Sequence, residues 1–491
     1  MLLSQLLKKI EYCGSFTDTE VEHITNSSFE AREHSVFVCI RGFATDGHVF
    51  APKAYDAGCR IFVCERQPEG LPSDATVILV PDSRRALALL SCALYGEPSR
   101  SISVIGITGT KGKTTTALMI KQMLDHAGIP AGYIGSNGIQ YASKRMDSKN
   151  TTPESHILQY HLRQMANEGV RAAVIEVSSQ ALKLGRTLGI EFDITAFTNL
   201  SPDHIGPAEH PNFDDYMISK KKLFDEYPSR LVIANADDPS VKKMLSDCAA
   251  EKRFFSVGGR SDFTATNIDL CRTSDMLGTS FICNKKDGAL PCSLSVPGEF
   301  NIHNALCAIA VAKAFGLSDE QISASLSKMK IDGRFEVLTM PNGACFVIDY
   351  AHNGLSLKSV LQALRKYEPN RLVCLFGSVG CRTQVRRAQM GEVASKYADF
   401  SILTSDNPDT ESPDQIIDDI ARQYYDPDSY IRIPDRREAI RYAAENSEPG
   451  DIILLAGKGH EKYQLINGKN KYFCEREILE DYINELTYSA K

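Results

Sequence analysis

No stretch of this chain approaches the ~18 uninterrupted apolar residues that a membrane-spanning helix needs, and no cysteines show CxxC or other metal-type spacing. The N-terminal run has apolar residues at Leu2, Leu3, Leu6, Leu7 and Ile10, which is helical spacing. Lys8 and Lys9 interrupt it before a signal-peptide core could form. A cytoplasmic protein with no membrane association is the expectation. A basic excess is lacking too: the net charge of −7 argues against a globally basic nucleic-acid binder. The 14 cysteines are scattered, and Cys39, Cys59, Cys64, Cys345 and Cys374 sit in apolar, strand-like runs. They read as small buried hydrophobes in a reducing compartment. With 43% hydrophobic and 24% charged residues, long disorder, a collagen-like rod and a disulfide mini-scaffold are excluded.

What is present is length and order. The 491 residues exceed the roughly 250–300 at which one core stops growing, so about three domains are expected. The turn-rich break at Gly96, Glu97, Pro98, Ser99 and Arg100 separates a first segment, 1–99, from a second, 100–335, and a third follows over 336–491. Short strands are expected at 35–40, 61–65 and 76–80 in the first. In the second, 103–108, 172–177, 194–199 and 231–235 are nearly continuously apolar. So are 346–350, 372–376, 401–404 and 452–456 in the third. Such runs suit parallel sheets buried on both faces by helices, so the fold class is α/β with mainly parallel sheets. The third segment then reads as a Rossmann-like domain. Polar clusters begin where these strands end, at Thr108, Glu176, Asn199, Asp349, Gly377, Asp406 and Gly457. In open α/β sheets that is where ligands bind.

The strand at 103–108 runs into Gly109, Thr110, Lys111, Gly112, Lys113, Thr114 and Thr115 and then a helical stretch. Glycines let backbone N–H groups reach phosphate, and the helix N-terminus adds donors and a positive dipole end. Lys113 suits the β- and γ-phosphates, and the Thr114 hydroxyl suits Mg²⁺. A strict Walker loop would have Gly at Ile107, so this is a variant with Gly109 inside it. The loop indicates ATP or GTP without specifying a reaction.

The string TGTKGKTTT (108–116) resembles the nucleotide loop of the Mur ligases. TTP (151–153), EVSS (176–179), NLSPDH (199–204), PGEFNIHN (297–304), GRFE (333–336), DYAH (349–352) and GKGHE (457–461) extend the resemblance in order from about residue 25 to the end. It is strongest to the members that add the third amino acid to the peptidoglycan peptide stem. The resemblance implies a UDP-sugar-binding N-terminal domain, a central ATP-binding domain and a C-terminal amino-acid-binding domain. It implies that ATP phosphorylates the terminal carboxylate of UDP-MurNAc-L-Ala-D-Glu, that an amine attacks the acyl phosphate, and that ADP and phosphate leave. Free carboxylate is a poor electrophile, so catalysis is mostly positioning and charge neutralisation.

By the same resemblance Glu176 joins Thr114 on Mg²⁺, and His204 contacts a second metal. Lys220 has a separate argument. A helix is expected over 212–224, with Asn212 as N-cap and Asp214 and Asp215 in its first turn. Lys220 falls on its apolar face with Phe213 and Met217, whereas Lys221 and Lys222 point elsewhere. An interior lysine has a depressed pKa and presents the neutral amine that CO₂ needs. The resemblance makes the carbamate of Lys220 a holder of Mg²⁺. It also places Asn301 and Asn304 near adenine and Arg334 and Asp349 on ATP. Thr151, Thr152, Ser178 and Arg186 contact the muramyl substrate, and Ser28 with the Asp46-Gly47 turn the uridine. Where relatives show AspSerArg, this chain has Ser27-Ser28-Phe29.

Arg371, Arg382, Arg386 and Arg387 form a run that the plain reading makes a solvated basic face. Arg382, after the strand at 372–376, matches the family arginine that fixes the incoming α-carboxylate. Asp406, Asn407, Asp409, Gly457 and Glu461 match the amino-acid contacts. Diaminopimelate-adding relatives carry Arg at the position of Asp409. An aspartate there would repel a distal carboxylate and suits a terminal ammonium, so L-lysine is the expected amino acid. The 203–211 segment also looks like the lysine-adding branch. GKGHE is equally at home with diaminopimelate, and ornithine remains open. A monomer is expected, and a non-ligating ATPase or a folylpolyglutamate-type ligase are the rival readings.

Overall fold

The computed structural model describes residues 1–42, 45–203, 205–206, 209–272, 277–381 and 384–489. The chain divides into two compact units. Unit 1 comprises 1–263 and 306–321, and unit 2 comprises 264–305 and 322–491.

Unit 1 begins with a parallel sheet of β1 (His23–Thr25), β2 (Ser35–Val38), β3 (Ile61–Cys64) and β4 (Thr76–Leu79) in sequential order. Every residue of β2 and β3 is buried. One face packs on Leu3, Leu6, Leu87 and Leu90 from helices, and the other holds Cys39, Cys59 and Cys64. A second sheet follows, from β5 (Ser103–Thr108), β6 (Ala131–Gly135), β7 (Gly138–Tyr141), β8 (Lys144–Met146), β9 (Ala172–Glu176), β10 (Ile194–Phe197), β11 (Leu231–Asn235) and β12 (Glu251–Val257). Their spatial order is β12-β11-β10-β5-β9-β6-β7-β8. Pairs from β12 to β6 are parallel, and those of β7 with β6 and β8 are antiparallel. β5 therefore lies between β9 and β10, with Thr108 opposite Phe197 and Ile107 opposite Glu176. That register brings the phosphate loop, the 176–179 turn and the 198–201 turn to one edge of the sheet.

In unit 2, β13 (Phe263–Arg272), which starts at the unit boundary, and the antiparallel pair β14 (Leu277–Lys285) and β15 (Gly288–Leu294) come first. A third sheet is built from β16 (Glu336–Thr339), β17 (Cys345–Asp349), β18 (Leu372–Phe376), β19 (Phe400–Leu403), β20 (Tyr430–Arg432) and β21 (Ile452–Ala456). Its order is β16-β17-β21-β18-β19-β20, parallel except for β16. A hairpin of β22 (Tyr463–Ile466) and β23 (Lys469–Tyr472) follows. Asp349 and Phe376 both pair with Ala456, and Phe376 with Leu403, so the polar clusters at these strand ends converge. Phe346, Leu375, Ile402 and Leu455 form the core beneath them. Among the described residues no helix is long and apolar enough to cross a membrane.

Candidate active site

In unit 1 the loop after β5 needs its glycines. Gly109 has φ +151°, and a Cβ there would meet Thr198 Oγ1 at 2.0 Å. Gly112, at φ +86°, is the N-cap of the helix Lys113–His126. Asn199 laces the loop from the neighbouring strand end. It accepts from Lys111 N–H at 2.9 Å through its side chain and from Thr110 N–H at 2.8 Å through its carbonyl. Lys113 Nζ curls back on the carbonyls of Gly109 (2.8 Å) and Thr110 (3.1 Å).

Glu176 is buried at the end of β9. Its Oε2 accepts from Thr114 Oγ1 at 2.9 Å, and its Oε1 from Tyr133 OH at 2.5 Å and Ser136 N–H at 3.0 Å. Thr115 is buried in the first turn of the same helix. Lys220 is 1% exposed, on the helix Phe213–Asp225, whose N-cap Asn212 accepts from Asp215 N–H. Its Nζ donates to Gly109 O at 2.9 Å and lies 4.6 Å over the Tyr216 ring. Burial pushes its amine well below the usual lysine range, and the nearby Lys113 adds to the push. Lys221, by contrast, pairs with Asp225 and Asp247 at the surface, and Lys222 with Glu226.

These residues fit a hard divalent cation. Thr114 and Glu176 offer oxygens 2.9 Å apart, and Thr108 Oγ1 is buried without a hydrogen-bond partner among the described residues, hard oxygen donors of the kind that Mg²⁺ takes. His204, the remaining expected metal contact, lies outside the described residues.

The adjoining turn carries the expected muramyl contacts. Thr152 Oγ1 donates to Glu176 O at 2.7 Å and accepts from Ser178 N–H at 3.0 Å. Thr151 Oγ1 lies 2.9 Å from Ser136 Oγ. Arg186 spans Thr152 O (3.1 Å) and Glu154 Oε1 (2.8 Å), with its Nε buried and unpartnered among the described residues. Ser28 is buried beyond β1. Asp46 caps a turn through His48 N–H and pairs with Arg66, which hold its carboxyl far below the usual range.

In unit 2, Asn301 Nδ2 donates to Pro297 O at 2.7 Å, and Asn304 Nδ2 to Asn301 Oδ1 at 2.8 Å, both buried. Asp349 Oδ2 accepts from Phe335 N–H at 3.0 Å; burial raises its pKa while Arg334 opposes the rise. Arg334 lies 4.9 Å over the Tyr350 ring. A Cβ on Gly333 would meet His460 N at 2.0 Å, so the 333–335 and 457–461 loops touch.

The cluster at the ends of β19 and β21 closes around Lys458, a residue that sequence reasoning missed. Its side chain is 0% exposed. Its Nζ donates to Asn407 Oδ1 and Glu461 Oε2, both at 2.8 Å, and to Asp406 Oδ1 at 3.4 Å. Gly457, at φ +113°, lies against Asp406. Asp409 is drawn elsewhere. Its Oδ1 accepts from Gly468 N–H at 2.7 Å and its backbone N–H donates to Leu465 O, so it fastens the β22–β23 hairpin. Arg382 lies outside the described residues. The basic run is no solvated face at Arg387, which is buried with Glu411 and Asp419, and Arg371 pairs with Asp451. Lys458 carried one signal, a lysine between two glycines at a strand end. Tyr133, in the middle of β6, carried none, and Asn199 none beyond its place after a strand end.

A parallel sheet with a glycine-dependent phosphate loop on its central strand, followed by a second sheet with ligand-type clusters at its strand ends, defines a P-loop α/β enzyme. Family models for the Mur ligase family catalytic domain, the Mur ligase middle domain and the Mur ligase glutamate ligase domain match 20–95, 107–312 and 333–459. A UDP-N-acetylmuramoyl-L-alanyl-D-glutamate–2,6-diaminopimelate ligase of Clostridium botulinum is 39% identical, covering 99% of this chain and 100% of the relative. The enzyme of the same name from Bacillus velezensis is 38% identical over 96% of each. A solved structure of a ligase of that name superposes with TM-score 0.68 at 27% identity, covering 95% of each chain. The MurF ligase of Thermotoga maritima in complex with ADP shares the fold, with TM-score 0.63 at 18% identity over 96% of this chain and 99% of that one. The chain belongs to the Mur ligase family, whose members are ATP-dependent acid–amino-acid ligases.

Proposed function

We propose that this enzyme attaches meso-diaminopimelate to the D-glutamate carboxylate of UDP-MurNAc-L-Ala-D-Glu, acting in the cytoplasm as a monomer. Segments 1–99, 100–335 and 336–491 are assigned the uridine-sugar, ATP and amino-acid tasks. The observation that carries the reaction is the set Lys113, Thr114, Glu176 and Lys220 around one phosphate loop, the last three of them buried. Backbone N–H groups from Gly109 to Thr115 and Lys113 hold the phosphates, and Arg334 and Asp349 grip ATP. Asn301 and Asn304 lie by the adenine. Thr151, Thr152, Ser178 and Arg186 hold the muramyl peptide, with Ser28 at the uridine. Thr114, Glu176 and carbamylated Lys220 would hold Mg²⁺ and His204 a second metal, and the bound ions would supply the charge neutralisation that phosphoryl transfer needs. Arg382 fixes the incoming α-carboxylate, and Asp406, Asn407, Gly457 and Glu461 receive the amino acid.

Full-length relatives bearing the diaminopimelate name support the choice of amino acid. So does the Lys458 cage. Two carboxylates, Asp406 and Glu461, already share one buried ammonium, which leaves less negative charge for a bare lysine ammonium than the sequence implied. Lysine is the second reading, favoured by Asp409 where diaminopimelate-adding relatives carry Arg. An equimolar mixture of meso-diaminopimelate, L-lysine and L-ornithine, supplied with ATP and the muramyl substrate, should give mainly the diaminopimelate adduct by mass; a lysine adduct in excess would reverse the assignment. Because the Asp409 carboxylate faces the hairpin, Asp409→Asn should leave kcat/KM for diaminopimelate within about threefold, under ~1 kcal/mol. A loss of about tenfold or more with lysine would favour the second reading.

A further inference from the structure

His210 is 1% exposed and has no part in the nucleotide loop or the expected substrate contacts. Its Nδ1 lies 2.6 Å from Asp215 Oδ2, and its Nε2 lies 2.9 Å from Ser179 Oγ. Asp215 stays a carboxylate because Lys183 Nζ, 2.7 Å from the same oxygen, lowers its pKa, with His210 adding to the effect. A carboxylate only accepts, so Nδ1 carries the ring proton. In the neutral ring Nε2 then accepts the Ser179 hydroxyl proton.

The two ends of this bridge belong to different working parts. Asp215 is in the first turn of the helix that carries Lys220, and its backbone is fixed by the Asn212 cap. Ser179 follows Ser178, which Thr152 fastens to the end of β9. His210 also packs edge-on to Tyr216 at 5.2 Å, and Tyr216 underlies Lys220 and donates to Thr110 Oγ1 at 3.1 Å. The order Ser, His, Asp is that of an acyl-transfer triad. Ser179 is buried, however, so what the geometry offers is orientation of the two elements and not attack by the serine.

We propose that His210, locked by Asp215, is a positioning residue that sets the Ser178-Ser179 turn against the Lys220 helix, so that the muramyl carboxylate is presented to the phosphoryl-transfer site. This rests on the reading of Ser178 and Lys220 given above. Without the bridge the turn can shift relative to the helix, and a misplacement of about 1 Å costs on the order of 10²-fold in rate.

The test is steady-state kinetics on the full chain, with UDP-MurNAc-L-Ala-D-Glu and ATP varied separately and thermal midpoints recorded. His210→Ala should raise KM for the muramyl substrate and lower kcat, each by about tenfold or more, and leave KM for ATP within about threefold. Ser179→Ala should reproduce the KM effect. His210→Gln, whose amide supplies one donor and one acceptor, should recover much of the loss. Wild-type kinetics in both Ala variants, or equal rises in both KM values, would overturn the proposal. If His210→Ala does not fold, Ser179→Ala decides alone: an unchanged muramyl KM overturns it. Wild-type protein that gives no product from this substrate defeats the functional reading instead, whereas active wild-type with unaffected variants defeats only the role of His210.

Discussion

Burial and the neighbouring Lys113 push the Lys220 amine well below its usual range, and this has a thermodynamic consequence at the same residue. A lysine whose pKa is lower folded than unfolded binds fewer protons in the native state between the two values. Stability therefore rises with pH across that window, and the penalty is full below the folded pKa and fades towards the unfolded value near 10.5. Lys220→Met should raise the thermal midpoint of ligand-free protein in CO₂-free buffer near neutral pH, by about 2 °C or more. That gain should shrink as pH climbs towards the lysine range; a gain that is absent, or that grows with pH, contradicts the account. In ligation, Lys220→Ala should lose on the order of 10²–10³-fold, with partial rescue by short carboxylic acids that stand in for the carbamate. Lys220 was legible because helical spacing put it on an apolar face. His210 and Lys458 were not, since their partners Ser179 and Asp406 lie 31 and 52 residues away. Asp409 is read from the sequence as facing a ligand; in the structure its carboxylate accepts from a hairpin amide 59 residues on, a partner that the local sequence does not announce.

The parallel strands were readable because both faces are buried, which leaves continuous apolar runs ended by polar clusters. β13 to β15 were missed because exposed and buried positions are mixed along them. The β22–β23 hairpin had a signal that went unread, Asn467-Gly468, both at positive φ as a tight hairpin turn requires. Arg436 is an element-scale clamp. Fully buried, it pairs with Glu475 at the start of the last helix and donates to Ser405 O (3.2 Å) and Ala456 O (2.9 Å), the backbone just before Asp406 and Gly457. Arg436→Met leaves Glu475 buried and unpaired and should destabilise by about 3–5 kcal/mol in denaturant unfolding. Adding Glu475→Leu should restore most of that stability but not the amino-acid KM, because the carbonyl clamp is still gone. A single variant within about 1 kcal/mol of wild type would show the pair to be dispensable.

For the molecule as a whole, length predicted about three domains, and the Mur ligase matches give three. Compactness divides the chain differently, because 264–305 joins the third sheet's unit. Tyr367 OH explains part of this by donating to Gly278 O and accepting from Gly298 N–H, both at 3.0 Å. A fragment starting at residue 336 lacks those partners, so it should melt well below the full chain's C-terminal transition in calorimetry; equal melting would mean that the earlier segment adds nothing. The net charge of −7 hides arginines and lysines committed one by one to carbonyls and carboxylates. The central claim is coupling of ATP hydrolysis to amide formation on the muramyl dipeptide. Its most direct test measures phosphate release and adduct mass together, with UDP-MurNAc-L-Ala-D-Glu, ATP and meso-diaminopimelate. The account predicts equal amounts of phosphate and adduct, with neither formed when any substrate is left out. Phosphate released without adduct would contradict it.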